Sequence, residues 1–510
     1  MFGKVYESRR IRAIEENAQW LGMPTILMME NAGKCVAEFI RRTFGEFNEK
    51  IIVVAGKGGN AGDGFAASRH LASMGYKVAL VTLFSEEQIT HEDAKRNFIL
   101  LRKIEGNKLN ILSYEHLPSL TRENAKLIVD AILGTGVRGE LREPIAGAIE
   151  LMNSSSLPIV SIDIPSGIDP DTGIPATHDG KPTAVRASYT ITMHFLKPGL
   201  LKDKEYSGNI EICNIGIPDE AEIIVGPGDV RNFLARKPKD AKKGDGGVVS
   251  VIGGSIEYSG APSLASLAAL ASGADLVFTI VPSSIKQIVA SFSPSIIAVG
   301  VGEHYFSPEN ADFVMNFVRR SSAAVIGPGM GYNKSTCSFT KEIIERMRSE
   351  QSLRAIVVDA DALKCISEYA PELDSRFVIT PHRGELSLLL RGYRIAESED
   401  RKKNASELSI SSKSIVLSKG PIDYICFKGE CREKRGGNPG MSIGGTGDVL
   451  AGLIASLSKR TPTPFHAACI ASFINSYAGD KLFERYGEFF TSEMLVREIP
   501  GAISSMMDWR

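Results

Sequence analysis

Short, continuous runs of aliphatic and β-branched residues alternate with helix-like stretches along most of this chain, in two separate series. The first holds Ile51–Ala55, Val78–Leu83, Leu127–Leu133, Ile159–Ile164, Tyr189–Met193 and Asn209–Ile215. The second holds Gly247–Ile252, Leu276–Val281, Ala323–Ile326, Ala355–Asp359, Phe377–Thr380 and Ile415–Leu417. A strand apolar on both faces must be covered on both faces, so each series predicts a parallel sheet between two helical layers. The fold class is α/β, with two doubly wound αβα domains.

Ahead of the first series, residues 11–44 read as helical, with Ile11, Ile14, Ala18 and Leu21 and then Leu27, Met28, Ala32, Val36, Phe39 and Ile40 at helical spacing. Between the series, residues 216–246 have linker composition: Gly216, Pro218, Gly226-Pro227-Gly228 and the charged run 236–243. This places a front domain over 1–216, a linker over 217–235 and a second domain over 236–510. No internal repeat relates them.

Composition removes other classes. A chain of 510 residues with 43% hydrophobic and 23% charged residues has ordinary globular usage, against disorder or coiled coil. Lys+Arg 59 against Asp+Glu 60 leaves a net charge of -1, which gives no support for binding through nucleic-acid phosphates. Met1–Arg12 is charged with no apolar run behind it, and Leu264–Val281 is broken by Ser266, Ser272, Gly273 and Asp275. Neither reads as a signal or a membrane span, and the expected location is the cytoplasm. The 7 cysteines contain no CxxC pair and are expected to be reduced thiols, although Cys426 and Cys431 flank Gly429 and can face each other across a hairpin.

Strand ends are where open parallel sheets bind ligands. After Ile51–Ala55 comes Gly56-Lys57-Gly58-Gly59-Asn60-Ala61-Gly62-Asp63-Gly64, opening a helix whose first N–H groups can meet an anion. It matches G-x-G-x-x-A, but the acidic residue expected after the next strand is only loosely met by Glu86, which disfavours ordinary hydride transfer. Asp130 and Asp163 lie in apolar strands before glycines, where a carboxylate is costly unless paired or holding a cation. His70, on a helix, reads as surface or satisfied core.

Over nearly its whole length the front block resembles the epimerase domain of the NAD(P)H-hydrate repair enzymes. The resemblance rests on Leu27-Met28-Met29-Glu30-Asn31-Ala32-Gly33, Asp163-Ile164-Pro165-Ser166-Gly167-Ile168-Asp169, Phe195-Leu196-Lys197-Pro198-Gly199-Leu200 and Ile215-Gly216-Ile217-Pro218. It implies a Rossmann-like domain that holds the hydrated nucleotide at Gly59, Asn60, Ala61, Gly62, Asp63, Gly134, Thr135, Gly136, Val137, Arg138, Gly139, Glu140 and Asp163. It further implies a K⁺ ion at Asn60, Asp130 and Ser166. The family loop reads Asn-Asn-Gly-Gly-Asp, so Gly59 and Ala61 depart from it and place the phosphate contact in question. A carboxylate can shuttle the proton while the hemiaminal carbon loses and regains its C–O bond; Asp163 is assigned that role, with Asp63 next.

In the second block, Gly444-Gly445-Thr446-Gly447-Asp448 precedes a helix with Val449, Leu450, Leu453 and Ile454. Free N–H groups and the helix dipole suit a migrating phosphoryl group, and Asp448 in the first turn suits a base for the acceptor hydroxyl. No Walker A is present; Gly329–Ser335 is a near miss. The block resembles the ribokinase-like superfamily and, more narrowly, the ADP- or ATP-dependent NAD(P)H-hydrate dehydratases. Lys243-Gly244-Asp245, Gly253-Gly254-Ser255, Tyr258–Pro262, Gly327–Gly331, Asp359–Leu363, Thr380–Glu385 and Lys419-Gly420-Pro421 carry that likeness. It implies that Ala261, Gly329, His382 and Asp448 contact the hydrate and that Lys419, Gly420, Pro421, Ile422, Asp423, Gly444, Gly445, Thr446 and Gly447 contact the nucleotide. Mg²⁺ would bridge the donor phosphates, with Glu385 either in its water shell or a surface carboxylate.

The expectation is a bifunctional metabolite-repair enzyme: an isomerase exchanging the R and S hydrates, then a lyase that phosphorylates the S hydrate from ADP or ATP and expels phosphate. The expected partners are these small molecules and a second copy of the chain in a homo-oligomer, with neither nucleic acid nor membrane. The alternative is a small-molecule (vitamin) kinase with a ligand-sensing front domain; a front domain that only binds RNA or protein is disfavoured by Asn60, Asp63, Asp130, Asp163 and Ser166.

Overall fold

The computed structural model describes residues 3–136 and 139–509. The chain divides into two compact units, the first ending at Ala221 and the second beginning at Glu222.

The first unit opens with α1 (Ser8–Trp20) and α2 (Thr25–Phe44). The one helical stretch read over 11–44 is thus two, because Gly22 takes φ +99° and Pro24 caps α2. Then come β1 (Lys50–Ala55), α3 (Gly59–Ser73), β2 (Lys77–Thr82), α4 (Glu92–Lys103), β3 (Leu109–Ser113), β4 (Ala125–Ala131), α5 (Ile145–Ser154), β5 (Ile159–Ile162), β6 (Tyr189–Met193) and β7 (Asn209–Cys213). They form a parallel sheet in the order β3-β2-β1-β4-β5-β6-β7. The apolar runs became its buried strands. β3 escaped the sequence reading because it is an edge strand in which only Leu109 is buried. Helix α2 lies directly on α3: a Cβ on Gly33 would stand 2.4 Å from the Ala66 Cβ. Asn31 donates to the Ile215 carbonyl at 2.9 Å, so the Leu27–Gly33 segment packs helices and ties them to the sheet.

The stretch expected as a linker over 217–235 folds instead. It forms a short helix, Asp219–Ile223, and α6 (Pro227–Phe233). Asp229 of α6 pairs with Arg432 at 2.9 and 3.0 Å, both side chains being buried. Proline-glycine content gave the segment linker composition, but the partner that anchors it lies 203 residues away.

The second unit has β8 (Val248–Ile252), α7 (Gly260–Ala271), β9 (Leu276–Pro282), β10 (Ile297–Val301), β11 (Ala323–Ile326), β12 (Ala355–Val358), α8 (Asp361–Tyr369), β13 (Phe377–Ile379), α9 (Arg383–Gly392), β14 (Ile415–Ser418), β15 (Asp423–Phe427), β16 (Glu430–Lys434), α10 (Thr446–Leu457), α11 (Pro464–Tyr486) and α12 (Ser492–Met507), with further helices between them. The sheet order is β10-β9-β8-β11-β12-β13-β14-β15-β16, parallel as far as β14 and antiparallel through the β15–β16 hairpin. The central strands are buried throughout, each large aliphatic side chain contributing about 1.5–3 kcal/mol. Helix α10 approaches α7 so closely that a Cβ on Gly452 would meet the Ala265 carbonyl at 2.0 Å. Gly452 is therefore a packing requirement.

The cysteines correct an expectation. Cys35–Cys213, Cys337–Cys365 and Cys426–Cys431 are disulfide-bonded, where reduced thiols were expected. Sequence spacing hid the first two because their partners are 178 and 28 residues apart and meet only through the fold. Cys469 lies buried outside these bridges. Among the described residues no helix is long and apolar enough to cross a membrane.

Candidate active sites

In the first unit the order of strands reverses between β1 and β4, and the carboxyl ends at such a reversal are where open α/β sheets bind ligands. Asp130, on β4, is fully buried there. Its carboxylate accepts from Ser161 Oγ at 2.8 Å, the Ser166 N–H at 2.8 Å, Ser166 Oγ at 2.6 Å and the Ile132 N–H at 3.3 Å. Burial raises its pKa against the pull of those bonds. Asn60 donates to the Leu133 carbonyl at 2.9 Å, and the Leu133 N–H donates to Ser166 Oγ at 2.8 Å. Asn60 Oδ1 is buried and accepts no hydrogen bond among the described residues. The structure thus brings Asn60, Asp130 and Ser166 together.

Asp163 follows β5 with φ +67°, a left-handed setting that is costly for a side-chain-bearing residue. Its N–H donates to the Ile191 carbonyl at 2.7 Å, and its carboxylate accepts from the Met193 N–H at 3.1 Å and from the Lys197 ammonium. Lys197 is 1% exposed and Asp163 15%, so the pair is buried with the carboxylate at its open end. Lys197 also donates to Thr192 Oγ1 at 3.0 Å and to the Met193 carbonyl at 3.3 Å. Two further carboxyls join the group. Asp63, on α3, is pushed well up in pKa by burial, Asp163 and Glu15, against Lys197. Glu15, on α1, rises to about 7 through burial first, with Lys197 opposing and Asp163 adding. The sequence reading assigned no role to Glu15 or Lys197. A lysine inside the apolar Phe195–Leu200 stretch was the available signal for the second.

The glycine loop is also clarified. Ala61 is fully buried in the core, so its methyl points inward. Gly62 packs on Met29, whose Cε would lie 2.5 Å from an added Cβ. What these two positions offer a ligand is backbone, and the only open positions of the loop tested by an added Cβ are Gly58 and Gly59. Gly134 lies against Asn60, Thr135 and Gly136 form a turn, and Gly139 (φ +77°) and Glu140 are exposed. Val137 and Arg138 lie outside the described residues.

In the second unit, Gly445 caps α10 with φ +96°, and a Cβ there would strike Leu264 Cδ1 at 2.5 Å. Ser492 Oγ donates to the Gly444 carbonyl at 2.6 Å and Thr446 Oγ1 to the Met441 carbonyl at 3.1 Å, which stiffens the turn. Asp448 follows in the first turn, its pKa raised to about 7 by burial and by Asp359, with Lys419 opposing and Asp361 adding. Lys419 donates to Asp359 Oδ1 at 2.8 Å, and Thr380 Oγ1 donates to the same oxygen at 2.7 Å. An added Cβ on Gly447 would be 3.2 Å from Lys419 Nζ. Burial works against the charge of Lys419, but Asp359, Glu385 and Asp448 hold its pKa above the usual value.

His382 caps α9. Its Nδ1 accepts from the Gly384 N–H at 3.0 Å and the Glu385 N–H at 3.3 Å, so the neutral ring carries its proton on Nε2. Burial and then Lys419 lower its pKa. Glu385 accepts from the His382 N–H at 2.9 Å and is 5% exposed, which overturns its reading as a surface carboxylate. Burial raises it to about 7.

A cavity of about 1010 Å³ opens beside this group, lined by His382, Lys419, Gly420, Pro421, Asp423, Thr446 and Gly447 among others. Ile422, Gly444 and Gly445 do not line it. The Ile422 carbonyl accepts from Arg401, and Asp423 accepts from the Gly420 N–H at 2.9 Å and Ser472 Oγ at 2.7 Å, so part of Lys419–Asp423 shapes the loop. Lys434, Asn438 and Asn475 also line the cavity and were missed. The Oδ1 atoms of both asparagines are buried with no hydrogen-bond partner among the described residues, acceptors that a ligand can satisfy. At the second switch point, between β8 and β11, Gly329 (φ +64°) places its Cβ position 3.2 Å from the Ala261 Cβ. Gly331 donates through its N–H to Asp361 Oδ2 at 3.0 Å, and Asp361 is one of the carboxylates that raise the pKa of Asp448.

Comparison with known proteins agrees with this division. The family model described as YjeF-related protein N-terminus matches residues 25–199, and that described as NAD(P)H-hydrate dehydratase matches residues 249–501. A bifunctional NAD(P)H-hydrate repair enzyme of Archaeoglobus fulgidus is 39% identical over 97% of this chain and 98% of its own. Another, of Pyrobaculum aerophilum, is 38% identical over 96% of each chain. Among solved structures, a ribokinase-like superfamily protein of Enterococcus faecalis V583 is 25% identical with a TM-score of 0.50, covering 56% of this chain and 96% of that one.

Proposed function

This chain belongs to the bifunctional NAD(P)H-hydrate repair enzymes, and from that premise we propose how its residues divide the work. It is an isomerase and a lyase: the front unit exchanges the two epimers of a hydrated nicotinamide cofactor, and the rear unit dehydrates one of them.

In the front unit Asp163 shuttles the hydroxyl proton while the hydroxylated ring carbon loses and regains its C–O bond. The observation that supports it is the buried Lys197 ammonium, which pairs with that carboxylate and fixes its position at the open end of the pair. The Gly58–Gly59 turn and the first N–H groups of α3 suit the nucleotide's phosphates. Asn60, Asp130 and Ser166 fit a potassium ion, since Asn60 Oδ1 is a buried acceptor in want of a partner and Asp130 is a buried carboxylate bonded only to hydroxyl and amide donors. When bound, the ion supplies positive charge to that crevice.

In the rear unit the cavity beside Lys419 takes the adenine nucleotide, with ADP as the donor we favour. Asp448 accepts the proton of the hydrate's hydroxyl, and Lys419 with the N–H groups of Thr446 and Gly447 holds the phosphoryl group as it moves. The ring nitrogen's lone pair then expels phosphate, and loss of a proton from the adjacent carbon restores the ring double bond. Among the described residues no three or more His, Cys, Asp or Glu side chains are grouped to hold a metal ion, and Mg²⁺ would be carried by the nucleotide's phosphates.

The test is recovery of reduced-nicotinamide absorbance from mixed hydrate epimers with Mg²⁺ and ADP, and separately with ATP. Full recovery is expected. Recovery limited to one epimer's share would sink the isomerase assignment, and a phosphorylated product accumulating without recovery would mark a kinase.

A further inference from the structure

Three tyrosines gather at one turn of the rear unit, and the phosphoryl-transfer chemistry uses none of them. The turn, Gly327–Gly331, follows β11 at the switch point between β8 and β11. A Cβ on Gly329 would stand 2.9 Å from the Tyr258 Cβ, and one on Gly331 would stand 3.4 Å from Tyr305 Cε1. Tyr332 follows the turn directly. Tyr258 is 57% exposed and Tyr332 56%, far from the burial usual for an aromatic side chain. Their surroundings are nonetheless well held. Ser255 and Tyr258 exchange backbone hydrogen bonds at 3.0 and 3.1 Å, and the Gly254 N–H ties that loop to the Pro328 carbonyl at 2.8 Å. The Tyr305 hydroxyl donates to Glu257, and the Tyr332 hydroxyl donates to Glu368 Oε1 on α8 at 2.6 Å. A ring already held in place loses little rotamer entropy when a ligand stacks on it.

The turn also reaches the reacting groups. A Cβ on Gly327 would run into the Asp359 carbonyl. Asp359 Oδ1 accepts from Lys419 at 2.8 Å, and Asp359 Oδ2 lies 3.9 Å from the Cβ position of Gly447. Neither the three tyrosines nor Gly329 line the cavity of about 1010 Å³ that takes the donor nucleotide. The turn therefore meets Asp359 from outside that cavity, and a second ligand can lie over it while the donor is bound.

A hydrated nicotinamide dinucleotide carries two rings of unlike chemistry. Hydration makes a carbon of the nicotinamide ring tetrahedral and puckers that end. The adenine at the other end is flat and aromatic, with π faces suited to tyrosine. Resting on the dehydratase reading of the rear unit, we infer that Tyr258 and Tyr332 bind the adenine end of the hydrate at the exposed rim, while its hydroxylated ring is turned toward Asp448. Tyr305, packed on Gly331, supports the turn. The contact lies remote from the reacting carbon and is made equally in the ground and transition states, so it sets KM and leaves kcat alone.

The test uses the full chain with ADP and Mg²⁺ and follows recovery of reduced-nicotinamide absorbance from two S hydrates. One is the dinucleotide hydrate; the other is the hydrate of the reduced mononucleotide, which lacks the adenylate half. In wild type the mononucleotide hydrate is expected to show a KM about tenfold above that of the dinucleotide hydrate. Tyr258→Ala and Tyr332→Ala should each raise the dinucleotide KM about fivefold to tenfold with kcat within about twofold, and leave the mononucleotide KM and the KM for ADP within about twofold. Tyr258→Phe and Tyr332→Phe keep the ring and should stay near wild type. Equal KM values for the two hydrates in wild type overturn the proposal, and a dinucleotide KM unchanged in either alanine variant removes that residue from it. Equal rises for both hydrates also overturn it, because they place the rings on the nicotinamide half or in the fold of the turn. If wild type dehydrates neither hydrate, the dehydratase reading itself fails; if it dehydrates both with one KM, only the tyrosines are wrong.

Discussion

The two sites use a buried lysine in opposite ways. In the front unit Lys197 pairs directly with Asp163, the carboxylate assigned to the chemistry, while the pKa values of Asp63 and Glu15 rise. In the rear unit Lys419 pairs with Asp359, and Asp448 is left beside the pair with its pKa raised to about 7. The lesson is that a buried ammonium satisfies one carboxylate and thereby sorts its neighbours into acids and bases. Reversible exchange at one carbon suits a base kept ready; removing a hydroxyl proton during phosphoryl transfer suits a carboxylate poised near neutrality.

Five experiments break or sharpen this contrast. Asp448→Asn should lower dehydration by about 10³-fold or more while epimer exchange stays within about twofold. Stopped recovery of cofactor absorbance, with epimers resolved by chromatography, reads both at once. Asp163→Asn should do the reverse, cutting exchange by about 10²-fold with S-hydrate dehydration intact; equal losses in both activities would erase the distinction. Dehydration kcat should fall about tenfold per pH unit below about 7, because Asp448 must be ionised to accept the proton. In Lys419→Met that acid limb should move to higher pH, since the ammonium is the group lowering the Asp448 pKa. A limb that stays put would separate Lys419 from Asp448. The smallest effect is expected for Ala61→Gly, which should cost about 1 kcal/mol of stability in thermal unfolding and leave hydrate KM unchanged, because the methyl lies in the core.

Both parallel sheets were legible because a strand buried on both faces has to be an unbroken apolar run, as Ile51–Ala55 and Ala323–Ile326 are. β3 and β10 were not, being half-exposed edges with weak patterns. Asp163 and Asp448 stood out because carboxylates beside glycines at strand ends or helix starts need a reason. Glu15 sat in an ordinary amphipathic helix and Lys434 in a short hairpin strand, where nothing nearby in sequence marks them as facing a site.

The residue order alone determined the alternation of strands and helices, the two blocks, and the turns whose backbone N–H groups meet anions, since each depends on neighbours a few positions apart. Which carboxylates lie near one ammonium, that Cys35 meets Cys213 and Cys337 meets Cys365, and that 222–235 is anchored by Arg432 were decided only in three dimensions. Electrostatic and covalent partners act through space over a few ångströms, and here the chain brings them from tens to hundreds of residues apart.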